Sequence, residues 1–168
     1  MPEDKLLENL IKILGYECKA YAKILTVAEK KTDCLVKNDM EALSSVTEEE
    51  KKAAEKTGEL SYAREQILSG ICKALGEDEK TMTLEKLREH IDEPYKTELQ
   101  KTGAKLSQIV KKLQKINEIN RRLIENAVNY IDFNLQLLSS PGPEASIYSR
   151  NGKEVSRTGG RRTLDVKY

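Results

Sequence analysis

Residues 7–35 read LENLIKILGYECKAYAKILTVAEKKTDCL. Leu7, Leu14, Tyr21, Ala28 and Leu35 recur every seven residues. Leu10 and Ile24 hold the position three further on, and Ile11, Cys18 and Leu25 the position four further on. A seven-residue apolar repeat keeps one stripe of a helix against a neighbour, and a second flank widens the stripe to face two neighbours. The pattern predicts a helix from about Glu3 to Lys37, with Glu3 and Asp4 at the end where the helix dipole favours negative charge.

The same signature continues outward. Asn38 as N-cap with Glu41 three residues later reads as a capping-box-like start for a second helix, about 39–75. Its seam holds Leu43, Val46, Ala53, Thr57, Leu60, Ile67, Ile71 and Ala74, with Glu50 and Arg64 in the same seam, at its edge or paired with a neighbouring helix. Gly58 and Gly70 weaken that helix, and Gly76 is placed to cap its end. A short linking helix, about 83–91, follows Thr83. Pro94 then opens a last helix, about 93–138, with Leu99, Thr102, Leu106, Ile109, Leu113, Ile116, Asn120, Leu123, Ala127, Tyr130, Asn134 and Leu137 on its seam. The expectation is an all-α chain: an elongated up-down-up antiparallel bundle with coiled-coil packing, occupying residues 1–138.

The pattern breaks at Ser139-Ser140-Pro141-Gly142-Pro143. Residues 139–168 carry six Arg or Lys against three Asp or Glu, whereas the whole chain of 168 residues has a net charge of only +1. This flexible, basic tail holds Asn151-Gly152 between short β-compatible runs, the pattern of a tight hairpin over 147–155. Just before the break, residues 128–138 place seven apolar side chains in eleven positions, too many for one buried stripe. Val128, Tyr130, Ile131, Phe133, Leu135, Leu137 and Leu138 are expected to lack an internal partner, because the last helix outruns the second by about two turns. The tail or a second copy of the chain would cover them, or a partner's amphipathic helix would dock there.

Chemistry is absent from the pattern. The one histidine, His90, has no second His and no clustered Cys beside it, so neither a metal centre nor a His-based triad is expected, and no cofactor is called for. Cys18, Cys34 and Cys72 are widely spaced, which suits buried or idle thiols. Acidic runs such as Glu48-Glu49-Glu50 sit beside Lys residues, as on a solvated helix face. Asn120 falls in the seam itself, where a polar residue fixes helix register. No apolar run approaches the ~20 residues that cross a bilayer, and the acidic start lacks the order of a signal peptide, so a cytoplasmic protein without membrane insertion is expected. Six spread basic charges without an aromatic platform make nucleic acid a weak, salt-sensitive partner at best.

One stretch of the last helix has a counterpart. Ile116-Asn117-Glu118-Ile119-Asn120-Arg121-Arg122-Leu123-Ile124-Glu125 resembles the LN-x-x-N-x-x-L-L-E motif of the FlgN family of flagellar export chaperones. Asn38-Asp39-Met40-Glu41-Ala42-Leu43 resembles that family's ND-LEAL corner. Tyr148-Ser149-Arg150-Asn151-Gly152 and Ser156-Arg157-Thr158-Gly159-Gly160-Arg161-Arg162 resemble its tail.

The resemblance implies a chaperone of the flagellar type III export system, without enzymatic activity. Such a chaperone binds the C-terminal helices of the hook–filament junction proteins FlgK and FlgL and delivers them to the export gate. It implies a client surface on Leu123, Ala127, Val128, Tyr130, Ile131, Phe133, Leu135, Leu137 and Leu138, and docking of Tyr148 to the gate protein FlhA. Asn117 and Asn120 are its motif positions. A coiled-coil adaptor forming a homodimer through the same apolar end, or a chaperone for another secretion client, stay open beside it.

Overall fold

The computed structural model describes residues 2–139, with side chains from Asp4 onward; the expected hairpin at 147–155, and Tyr148, lie outside the described residues. The described residues are all-α. Among them four helices follow in order: α1 (Pro2–Lys37), α2 (Met40–Leu75), α3 (Leu84–Glu89) and α4 (Tyr95–Ser139). The described residues divide into two units, one ending at Leu123 and the other beginning at Ile124.

The first unit is a bundle whose directions follow from its cross-links. Glu17 meets Ser61, and Lys31 meets Glu50, so α1 and α2 are antiparallel. Cys18 reaches the carbonyl of Thr102, and Asn120 that of Ala28, so α4 returns parallel to α1. The up-down-up order needs a crossover between α2 and α4, and α3 supplies it.

Local chemistry sets the helix ends. Asn38 adopts φ 54, the left-handed conformation that Asn tolerates better than most residues. The adjoining amide of Asp39 bonds back to the carbonyl of Cys34, which closes α1. Asp39, one residue after the expected cap, is the N-cap of α2, and its carboxylate accepts from the amide of Ala42 at 3.0 Å. Asn38 is used up in ending the helix before it. Gly76 ends α2 at φ 72, and the Thr83 hydroxyl caps α3 through the amide of Lys86.

Two apolar clusters hold the bundle. The larger joins Leu7, Leu10 and Leu14 of α1 to Ile71 of α2, Leu87 and Ile91 of the crossover, and Leu99 of α4. Leu10, Leu14 and Leu87 are fully buried, so replacing any one with Ala is expected to destabilise by about 2–5 kcal/mol. The smaller cluster joins Ile24 and Ala28 to Ala53 and Leu113. Beyond it, toward the α1–α2 corner, no residue between 29 and 52 is fully buried. There the pairs Lys30–Glu49 and Lys31–Glu50 bridge α1 and α2 in place of a core.

Polar residues also cross the bundle interior. Glu17 is fully buried and accepts a 3.2 Å hydrogen bond from Ser61, while Arg64 Nε stands 3.5 Å from the same oxygen. That contact is within ion-pair range but not a hydrogen bond, and the second carboxylate oxygen of Glu17 makes none either.

Candidate docking surface on the last helix

An α-helix turns 100° per residue, so apolar side chains spaced three and four apart share a face. Ile124, Val128, Ile131, Leu135 and Leu138 form one such stripe, and Tyr130, Phe133 and Leu137 a second on a different side of α4. Each of these eight residues is exposed, from 39% for Ile124 to 75% for Leu138. Ala127 is exposed as well. Leu123 differs: it is half-buried and belongs to the first unit, where α4 still has its bundle neighbours. Ile124 was not among the residues singled out from sequence, although its spacing to Val128 and Ile131 was there to read.

The two motif asparagines part company. Asn117 is exposed. Asn120 is buried; its amide donates to the carbonyl of Ala28 at 2.9 Å and its carbonyl oxygen accepts from the Thr32 hydroxyl at 2.7 Å. Asn120 is therefore a bundle residue. Glu118, between them, accepts from Arg121 through Nε at 3.0 Å and Nη2 at 2.9 Å, and from Arg122 Nε at 2.9 Å. Those hydrogen bonds hold its carboxyl down at about 2.

No group of three or more His, Cys, Asp or Glu side chains among the described residues could hold a metal ion. His90 caps α3 and lies on the surface, 3.5 Å from Glu77. The Cys18 and Cys72 thiols are buried, and burial pushes both above the ordinary thiol range, which disfavours the reactive thiolate. A depression lined by Leu7, Ile71, His90 and Tyr95 has a volume of ≈ 190 Å³. No helix among the described residues is long and apolar enough to cross a membrane.

The family model described as FlgN protein matches residues 1–156. The chain is also similar to the uncharacterized protein YvyG of Bacillus subtilis (strain 168), with 26% identity over 159 residues, covering 94% of this chain and 96% of that protein. No solved structure matches it.

Proposed function

The chain belongs to the FlgN family of flagellar export chaperones, and from that membership we propose that it is a cytoplasmic chaperone whose exposed end of α4 holds the C-terminal amphipathic helices of FlgK and FlgL. The family is one of chaperones, not of enzymes. The observation that carries the reading is the exposure of all eight large apolar side chains between Ile124 and Leu138. A run this apolar is unfavourable in water and gains from any apolar cover.

The magnitudes suit capture followed by release. Burying the rest of eight half-exposed side chains would contribute on the order of 10 kcal/mol. Association itself opposes this by roughly 4–15 kcal/mol. The two nearly offset each other, so whatever surplus remains is small and the complex comes apart readily, as release at an export gate requires. Leu123, Ala127, Val128, Tyr130, Ile131, Phe133, Leu135, Leu137 and Leu138 form the proposed client surface, with Ile124 added to them.

Delivery is assigned to the tail. Tyr148 docks the loaded chaperone on the cytoplasmic domain of FlhA, so client binding and addressing use separate residues. The test is a pull-down with the full chain, with Tyr148→Ala and with residues 139–168 removed. Tyr148→Ala is expected to retain FlgK and FlgL and to lose FlhA. Equal loss of client and gate would contradict the division. A tight dimer in sedimentation that takes no client peptide would point instead to a dimerising adaptor.

A further inference from the structure

The α1–α2 pair has a groove that its own charges do not explain. Lys19 and Lys23 line one wall and Lys52 and Lys56 the other. All four are exposed, and none has a carboxylate within 4.0 Å among the described residues. The register set by Glu17–Ser61 and Lys31–Glu50 places Lys23 level with Lys56, like charge facing like. Further along the same pair the bundle does the opposite: Lys30 meets Glu49 at 3.6 Å and Lys31 meets Glu50 at 2.8 Å. Facing lysines without counter-charges destabilise a helix pair, whereas facing Lys and Glu support it. The chain meets that demand at one level and breaks it at the next.

The floor of the groove is apolar and shallow. Ala20, Ala53 and Leu60 lie along it, and exposed Tyr16 stands at its end with the Lys19 ammonium 5.8 Å from its ring centre. Small residues between two antiparallel helices let a third helix approach closely. α4 packs on the pair through Ile24, Ala28, Ala53 and Leu113, so Ala53 is nearly buried against α4 and only the edge of it reaches the groove.

We propose that this groove is a second docking surface, which takes an acidic amphipathic helix of a partner protein. Lys19 and Lys23, like Lys52 and Lys56, are one helical turn apart, so carboxylates spaced i, i+4 on the incoming helix match each wall. Its apolar stripe lies on Ala20, Leu60 and the Tyr16 ring. The charge of the groove excludes the chain's own residues 139–168 as occupant, because they are themselves basic. The apolar floor favours a protein helix over a phosphate backbone or a lipid headgroup layer, neither of which offers an apolar ridge flanked by anions. The surface lies entirely within residues 16–60 and does not depend on the client reading of α4.

The test uses the full chain and a labelled synthetic helix of about twenty residues, with a Leu and Ala stripe flanked by Glu at i, i+4. A control peptide carries Gln in place of Glu, and another carries Lys. Fluorescence anisotropy is expected to show binding of the Glu peptide, weakened by added salt, with about tenfold lower affinity in Lys23→Glu plus Lys52→Glu. That charge-reversed variant is expected to bind the Lys peptide better than the native chain does. A thermal melt checks the fold, and removing the facing like charges is expected to leave the melting temperature equal or higher. Equal binding of the Glu and Gln peptides overturns the proposal, as does unchanged affinity in the variant. Preferred binding of phosphatidylserine vesicles or duplex DNA, or a dimer that the charge reversal dissolves, overturns the assigned partner.

Discussion

Asn120 Nδ2 donates a 2.9 Å hydrogen bond to the carbonyl oxygen of Ala28, 92 residues earlier in the chain. The contact ties α4 to α1 just where the apolar clusters end. A buried amide that finds a particular carbonyl fixes the longitudinal register of two helices, which apolar contacts alone leave free to slip. The motif asparagine thus positions α4 in the bundle.

Asn120→Ala is therefore expected to destabilise the bundle by about 1–2 kcal/mol. The loss is moderate because the Thr32 hydroxyl keeps the Ala28 carbonyl as an alternative acceptor at 3.1 Å. Chemical denaturation of the native chain and the variant measures it. Asn120→Leu fills the space with an apolar side chain and is expected to melt no lower than the native chain, while mixed registers broaden its amide spectrum.

The interior ion pair makes an asymmetric prediction. Arg64 is the cation within ion-pair range of the fully buried Glu17 carboxylate. Arg64→Ala strands that charge, and is expected to destabilise by about 3 kcal/mol. Glu17→Leu combined with Arg64→Leu is expected to recover most of the loss, since a well-packed apolar pair replaces both charges. Equal destabilisation in the single and double variants would contradict this account.

Glu118 supplies a pH dependence. Its folded-state carboxyl titrates at about 2, well below the ordinary value of 4.5, because Arg121 and Arg122 hydrogen-bond the charged form. Its contribution is fully present above pH 4.5 and is lost as the pH falls through about 2. The pair network is exposed, so the effect on stability is small. Carboxyl NMR is the direct measure: the Glu118 midpoint is expected near 2 in the native chain and near 4.5 after Arg121→Ala plus Arg122→Ala.

The helical frame was legible because it is written in spacing. The seven-residue repeat from Leu7 to Leu35 placed Leu7, Leu14 and Ala28 in the core, and all three are buried. Gly76 and Thr83 cap as their chemistry suggests. Glu17 was missed although it lies seven residues after Leu10 and seven before Ile24, because a charge in an apolar register reads as an interruption until its partner is known. Glu50 and Arg64 fit either the seam edge or a pairing with a neighbouring helix by spacing alone, and both pair with α1. The excess of apolar residues near the end of α4 could be counted in the sequence. Their division into two stripes became evident only with the helix bounds, and the lysine groove needs the register of two helices 30 residues apart, which no local pattern carries.

The client surface on α4 is the central claim, and calorimetry tests it most directly. A peptide of the FlgK C-terminal helix is titrated into the full chain and into Phe133→Asp plus Leu137→Asp. Both residues are more than half exposed, at 57% and 59%, so the substitutions are expected to leave the cooperative melt of the bundle intact. Two charges placed on the apolar surface are expected to weaken binding by at least ~100-fold, to the point where no heat is detected. Unchanged affinity in the double variant would contradict the account.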